Sequence, residues 1–113
     1  MSQPQKLLFI CSQNRLRSLT AETMYRGFPG YEVRSAGTEP SARIKVNQGH
    51  IGWADWIFVM EKKHGRILRE KFGETLDEKP VICLHIEDIY RYMEPALIDE
   101  LEATLSEHVD VPG

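Results

Sequence analysis

Short apolar runs alternate with helix-like segments along this chain, and that alternation limits the folds open to it. The runs KLLFI (6–10), DWIFVM (55–60) and PVICLHI (80–86) have the length of strands and contain few polar residues. A shorter strand is predicted at YEVRS (31–35). Continuous apolar strands are typical of parallel sheets that are covered on both faces.

The segments between these strands carry helical periodicity. Their apolar residues predict helices over about 18–27, 42–53 and 61–72, and Pro95 is placed to begin a last helix. The expected fold is therefore an α/β three-layer sandwich, in which a four-stranded parallel sheet has helices on both faces. The whole chain, residues 1–113, is expected to form a single domain.

Composition excludes several classes of protein. The chain is 42% hydrophobic and 27% charged, as folded domains are, and its net charge of −3 argues against binding to nucleic acid. No apolar run approaches the roughly 20 residues that span a membrane, and LLFI is too short for a signal-peptide core. The two cysteines are expected to be reduced thiols in the cytoplasm. The oligomeric state is left open.

Residues 11–18, CSQNRLRS, lie between the first strand and the first helix, at the sheet edge where such folds bind ligands. Backbone N–H groups and the positive end of a helix favour an oxyanion and a thiolate at such a place. We expect Cys11 to be the nucleophile, Arg17 to bind two phosphate oxygens, and Ser18 to donate a hydrogen bond to the sulfur. This set predicts phosphoryl transfer through a phosphocysteine.

The competing interpretation of Cys11 is a small buried hydrophobe at the end of a strand. Spacing alone favours that interpretation, because an arginine six positions later occurs often by chance. The context favours a phosphate loop instead. A strand precedes it, a helix follows it, Ser18 adjoins Arg17, and a candidate acid lies in another loop at the same edge.

CSQNRLRS resembles the phosphate loop of the low molecular weight protein tyrosine phosphatases, whose pattern is Cys-x-Gly-Asn-x-Cys-Arg-Ser-Pro. RSAGT (34–38), ADWIFVME (54–61) and IEDIYRY (86–92) resemble further stretches of that family, in the same order. The similarity covers most of the chain. It implies a four-stranded parallel sheet and hydrolysis of phosphate monoesters through a covalent intermediate, with no metal and no cofactor.

The resemblance also implies a role for each matched residue. Cys11 matches the nucleophile and Arg17 the phosphate-binding arginine. Asp88 matches the general acid, which protonates the leaving oxygen and later acts as a base on water. Tyr90 matches an aromatic wall of the substrate cleft. Phosphate binding and loop support are expected from the remaining loop residues and one serine of the second strand: Ser12, Gln13, Asn14, Arg15, Leu16, Ser18 and Ser35.

Two of these supporting roles are specific. Asn14 is expected to hold the loop open from a left-handed backbone conformation, which asparagine tolerates, with Ser35 as its hydrogen-bond partner. Gln13 stands where the family has glycine, so a positive φ at that position would strain the loop. Glu87 and Glu94 are alternative acids to Asp88.

The segment between RSAGT and the third strand is shorter than the family's. It lacks the family's cleft aromatic and loop-supporting histidine, and no residue clearly replaces them. Glu61 is interpreted as a solvated carboxylate at a helix start. The histidines show no metal-ligand spacing and are expected at surface or edge positions, although His85 could assist Asp88: His50, His64, His85 and His108.

The expected substrate is a phosphorylated protein or a small aryl phosphate. One alternative is a module that binds phosphate or a phosphopeptide on the same scaffold but turns over poorly. Another is a redox enzyme of the arsenate-reductase type, which needs resolving cysteines near Cys11. Cys83 lies within an apolar strand and does not suit that role. In a third alternative Cys11 is inert.

Overall fold

The computed structural model of the chain describes residues 3–76 and 78–112. Within them, four strands form one parallel sheet in the order β2-β1-β3-β4. The strands are β1 (Gln5–Cys11), β2 (Tyr31–Gly37), β3 (Trp56–Val59) and β4 (Val81–Cys83). The helices are α1 (Arg17–Tyr25), α2 (Gln48–Trp53), α3 (Lys62–Leu76) and α4 (Pro95–Leu105). The four predicted strands and the parallel sheet are thus confirmed.

Two apolar cores lie on opposite faces of the sheet. Phe9 and Phe58 stack on one face, with ring centroids 5.6 Å apart, and α1 and α4 cover them. Ile10 and Ile57 point to the other face, where Leu68 of α3 and the apolar side of α2 bury them. Because neighbouring strand residues point to opposite faces, a continuous apolar strand contributes side chains to both cores. The predicted three-layer sandwich is confirmed.

The fourth strand is shorter than the predicted range of 80–86. Its ladder bonds continue to Leu84 and Ile86, whose N–H groups donate to carbonyls of the neighbouring segment. The backbone of His85 has a φ of +54°, however, and a left-handed residue interrupts the extended conformation of a strand. The apolar run therefore ends in a turn that leads toward Asp88.

Helix α3 extends beyond the predicted end at residue 72. Phe72 departs from helical geometry, with φ of −129° and ψ of 23°, but the helix resumes and Leu76 is buried in the α2–α3 core. Burial of Leu76 stabilises a last turn that Gly73 alone would disfavour. The helix therefore includes residues 73–76, and Asp77 lies outside the described residues.

Helix α2 occupies only the end of the range predicted for it. The Asn47 side chain accepts a hydrogen bond from the His50 N–H, while His50 Nδ1 accepts one from the Asn47 N–H, at 3.1 Å each. This reciprocal cap begins the helix. Residues 42–46 are instead irregular. No helix among the described residues is long and apolar enough to span a membrane.

Candidate active site

The loop that follows β1 lies at the carboxyl edge of the sheet, as predicted. Cys11 is the last residue of β1, and Arg17 is the first residue of α1. In the sheet register Cys11 pairs with Gly37 of β2, and β3 flanks β1 on its other side. The loop therefore begins at the end of β1, between β2 and β3, at the edge of the sheet where loops and the first residues of helices lie.

Four successive carbonyl groups of this loop are held on one side by residues 38–43. Because the C=O and N–H of a trans peptide point in opposite directions, the N–H groups of residues 12–15 face the other side, into the loop. The four hydrogen bonds are Thr38 N–H to Cys11 O, Glu39 N–H to Ser12 O, Arg43 N–H to Gln13 O and Arg43 Nε to Asn14 O, at 2.9–3.0 Å.

One of the inward N–H groups contacts the cysteine sulfur. The Asn14 N–H donates to Cys11 Sγ at 3.2 Å. A ring of backbone donors is a binding site for anions, and it favours a thiolate or a phosphoryl group at the same place. The sequence did not indicate that residues 38–43 would build this ring, because three of the four contacts are made between backbone atoms.

Gly37 allows residues 38–43 to approach the loop closely. A Cβ at this position would lie 2.5 Å from Ser12 O and 2.6 Å from the Ala42 side chain, distances that no side chain tolerates. The glycine of the RSAGT stretch is therefore a packing requirement of the phosphate loop.

A chain of hydrogen bonds orients Ser18 toward the sulfur. Asn14 Nδ2, which can only donate, donates to Ser18 Oγ at 2.8 Å. The Ser18 hydroxyl proton is then free for Cys11 Sγ, 2.9 Å away. Asn14 has a φ of +57°, as expected, and Cys11 is only 3% exposed. The predicted Ser18 contact and the left-handed Asn14 are both confirmed.

One expectation for this loop is wrong. Ser35 does not bond to Asn14 but donates to Glu22 Oε1 at 2.8 Å, because Ser35 lies within β2 beside α1. Asn14 Oδ1 has no hydrogen-bond partner among the described residues. Gln13 does not adopt a positive φ, so the glycine of the family pattern is not needed here. The Gln13 side chain instead accepts a hydrogen bond from Ser41.

Arg17 is almost fully buried, and half of its guanidinium is already bound. Nη1 donates to Glu61 Oε1 at 2.6 Å and to Ile86 O at 2.7 Å. Nη2 has no partner in the described part of the chain, and Nε faces only Asp88 Oδ1 at 3.7 Å. The Nε–Nη2 edge is therefore available for two oxygens of a phosphate group.

Glu61 is a positioning residue rather than a solvated helix-start carboxylate. It is 33% exposed, and its hydrogen bond from Arg17 lowers its pKa below the usual range. The carboxylate therefore stays ionised and fixes the arginine. Its place directly after β3 was visible in the sequence, but its partner lies 44 positions away.

His64 supports the loop through Ser12, a role that was not predicted from the sequence. It is fully buried, and burial together with the charge of Arg17 lowers its pKa to about 4. Nδ1 accepts a hydrogen bond from the Glu61 N–H at 3.0 Å, so Nε2 carries the proton and donates to Ser12 Oγ at 2.9 Å. The Ser12 hydroxyl proton remains free to donate to a phosphate oxygen.

The expectation that His64 lies at the surface is therefore wrong. A signal was present, because His64 and Leu68 share the inner stripe of α3 at a spacing of four. A histidine in the apolar stripe of a helix that follows a strand indicates that its ring is buried and hydrogen-bonded.

A cavity of about 220 Å³ opens over the loop. Asp88 is 60% exposed at its mouth, while Cys11 and Arg17 lie at its base. Ser35 and Tyr90 of the predicted set are not in its wall. The residues that line it are Cys11, Ser12, Gln13, Arg15, Leu16, Arg17 and Asp88.

The prediction that Tyr90 forms a cleft wall is wrong. Its hydroxyl donates to Glu100 of α4, and its ring packs against the α1–α4 core. The register of the loop turns this side chain away from the cavity. No aromatic residue of the described chain lines the cavity.

No family model and no curated protein sequence matches the chain. Solved structures do. The low molecular weight protein tyrosine phosphatase of Streptococcus pyogenes superposes with a TM-score of 0.74 at 15% identity, over 94% of each chain. The tyrosine phosphatase Wzb of Escherichia coli K30, solved with phosphate, gives 0.73 at 21% identity, over 93% of this chain and 96% of that one.

The chain has the fold of the low molecular weight protein tyrosine phosphatases. The same fold occurs in the YwlE arginine phosphatase of Geobacillus stearothermophilus, with a TM-score of 0.63 at 24% identity over 94% of this chain and 98% of that one. Among the described residues, no group of three or more histidine, cysteine, aspartate or glutamate side chains is placed to hold a metal ion. That the reaction needs no metal and no cofactor stays a prediction.

Proposed function

We propose that this chain hydrolyses phosphate monoesters through a phosphocysteine on Cys11, as a phosphatase of the protein tyrosine phosphatase type. One observation carries the proposal above the others. The loop directs the Asn14 N–H onto the Cys11 sulfur and presents the free edge of Arg17 to the same cavity. A phosphoryl group held there lies directly over a nucleophile.

In the first step, the Cys11 sulfur attacks phosphorus as the bond to the leaving oxygen breaks. The inward N–H groups, the Ser12 hydroxyl and the Nε–Nη2 edge of Arg17 bind the three phosphoryl oxygens and stabilise their charge. Asp88, at the mouth of the cavity, donates a proton to the leaving oxygen.

In the second step, water attacks phosphorus and Asp88 accepts its proton. The phosphorus–sulfur bond breaks, and the electron pair returns to Cys11. The Ser18 hydroxyl, 2.9 Å from the sulfur, stabilises the thiolate as it leaves. Ser18 and Asp88 therefore serve both steps, and inorganic phosphate is the product.

The substrate is a phosphorylated protein or a small aryl phosphate. Solved proteins of this fold include both tyrosine and arginine phosphatases. The cavity here has Leu16 and Arg15 on its wall, so an aryl ring would contact Leu16, 37% exposed, instead of an aromatic side chain. The location in the cytoplasm stays a prediction.

One observation favours a second function, a phosphate-binding module with poor turnover. Asp88 is 60% exposed and makes no hydrogen bond with a described residue, so the anion cradle is complete while the acid is loosely held. Such a protein would keep the affinity for phosphate and lose the chemistry.

Hydrolysis of para-nitrophenyl phosphate from about pH 4.5 to about pH 8 distinguishes the two functions. The proposal expects turnover by the wild type, none by Cys11→Ser, and slowed turnover with an altered pH profile by Asp88→Asn. Absence of turnover with binding of vanadate that depends on Arg17 would establish the binding module. Loss of both turnover and binding would make Cys11 a structural residue.

A further inference from the structure

A second cavity, of about 360 Å³, lies between α3 and the edge strand β4. It shares no lining residue with the cavity over Cys11. Its buried floor is formed by Val59 and Gly65, beside Val81. The absence of a side chain at Gly65 leaves room above the floor, and Arg69 folds over it, with Nη1 3.6 Å from where a Cβ would lie.

The rim of this cavity is strongly basic. Lys62, Arg66 and Arg69 are exposed on one side of α3, and no carboxylate lines the cavity. None of the three forms an ion pair with a described residue. Like charges at such spacings on a helix repel one another, so an anion that enters the cavity relieves the repulsion and gains three attractive contacts.

A thiol faces the same cavity. Cys83, the last residue of β4, is partly buried and packs on the α2–α3 side of the sheet. Its sulfur lies 3.6 Å from Nδ1 of His85, which is exposed. In the tautomer with the proton on Nε2, this nitrogen can accept a hydrogen bond from the thiol. His85 therefore pairs with Cys83, and among the described residues it makes no hydrogen bond to Asp88.

We propose that this cavity is a modification site, at which Cys83 exchanges with a low-molecular-weight disulfide that carries carboxylates. The thiol proton passes to His85 Nδ1, and the Cys83 sulfur attacks one sulfur of the bound disulfide. The disulfide bond breaks, the other half leaves as a thiolate, and Cys83 is held in a mixed disulfide. The basic rim binds the carboxylates. This chemistry is independent of the reaction proposed for Cys11.

Three disulfides of different charge test the proposal. Oxidised glutathione is anionic, hydroxyethyl disulfide is neutral, and cystamine is cationic. Each is added to Cys11→Ser protein, so that Cys83 is the only thiol, and the rate of mixed-disulfide formation is followed by intact mass spectrometry after alkylation. Each rate is divided by the rate for the same protein unfolded in urea, which removes the intrinsic reactivity of the disulfide.

We expect the normalised rate with glutathione to exceed that with cystamine by about tenfold or more, because the rim raises the local concentration of anions. The preference should shrink with added salt. Arg66→Gln/Arg69→Gln should abolish it, whereas Lys45→Gln/Lys71→Gln, which removes the same charge elsewhere, should retain it. His85→Asn, which suits a left-handed backbone, should slow all three disulfides by a common factor.

Two results would overturn the proposal. One is a normalised rate that is the same for the anionic and the cationic disulfide. The other is a glutathione preference that survives in Arg66→Gln/Arg69→Gln.

Discussion

The loop that carries the proposed nucleophile and the loop that carries the proposed acid are built very differently. Residues 11–17 have four carbonyls tied to a neighbouring segment, and Cys11 and Arg17 are 3% and 2% exposed. Residues 84–94 are irregular, with left-handed residues near both ends, and Asp88 and Ile89 are 60% and 68% exposed. The two loops meet where Arg17 donates to Ile86 O.

This contrast indicates that the phosphate-binding groups are held in place more firmly than the group that transfers the proton. The anion cradle is held by hydrogen bonds within the protein, so binding phosphate requires little reorganisation. The acid lies at the mouth, and only a bound substrate gives it a partner. Substitutions in the first loop should therefore reduce both binding and turnover, except at the nucleophile, whereas substitutions in the second should reduce turnover alone.

The largest effect is expected for Cys11→Ala. Without the sulfur no covalent intermediate forms, and turnover of para-nitrophenyl phosphate should fall by about 10⁴-fold or more. Calorimetry with inorganic phosphate should still show binding, because the cradle and Arg17 remain. Appreciable turnover by this variant would contradict the assignment of the nucleophile.

Arg17→Lys should reduce kcat/KM by about 10²- to 10³-fold and also weaken phosphate binding. Lysine keeps the charge but cannot bind Glu61, Ile86 O and two phosphate oxygens with a planar fork. Arg15→Lys is the matched control, since the same substitution in the exposed arginine of this loop should cost only a few-fold. A loss for Arg17→Lys as small as that for Arg15→Lys would show that charge alone matters.

Asp88→Asn should lower kcat by about 10²-fold and leave the affinity for inorganic phosphate unchanged. The amide cannot supply or accept the proton, but it does not alter the cradle. The loss should be greater for phenyl phosphate, whose leaving oxygen needs the proton more. A parallel loss of phosphate affinity would remove the distinction between the two loops.

His64 should make stability depend on pH. In the unfolded chain this ring binds a proton with its ordinary pKa of 6.5, whereas in the folded protein burial lowers its pKa to about 4. The contribution of His64 to the free energy of unfolding should therefore have its full value above pH 6.5. It should fall as the pH drops toward 4, by at most about 1.4 kcal/mol per pH unit.

Urea unfolding at a series of pH values checks this. His64→Gln, which remains neutral, should be less stable than the wild type at neutral pH and should flatten the profile between pH 6.5 and 4. Parallel profiles for the two proteins would mean that other groups cause the decline.

Tyr90→Phe should have the smallest effect. Its hydroxyl binds Glu100 and its ring faces α4, so KM for aryl phosphates should be unchanged and stability should fall only slightly. Thermal unfolding and steady-state kinetics measure the two quantities. A clear rise in KM would show that Tyr90 contacts the substrate after all.

The nucleophile loop could be predicted from the sequence because its signals are local. An apolar strand, Cys11, Arg17 and Ser18 follow one another within residues 6–18, and backbone geometry then determines what they can do. The sheet could be predicted for the same reason, since strand length and apolar content are properties of short segments.

The supporting contacts could not be predicted because they join distant segments. His64 reaches Ser12 across 52 positions, and Arg17 reaches Glu61 across 44. Ser35 and Tyr90 matched a pattern in the sequence, but the register of β2 and the turn at His85 direct them elsewhere. Which way a side chain points depends on tertiary packing, and a one-residue shift reverses it in a strand.

The most direct test of the central claim is a rapid acid quench of Asp88→Asn during turnover of para-nitrophenyl phosphate, followed by peptide mass spectrometry. This leaving group needs little help from an acid, whereas attack by water needs the base, so the intermediate should accumulate. The account predicts one phosphoryl group on Cys11, absent from Cys11→Ala. Substrate turnover without phosphorylation of Cys11 would contradict it.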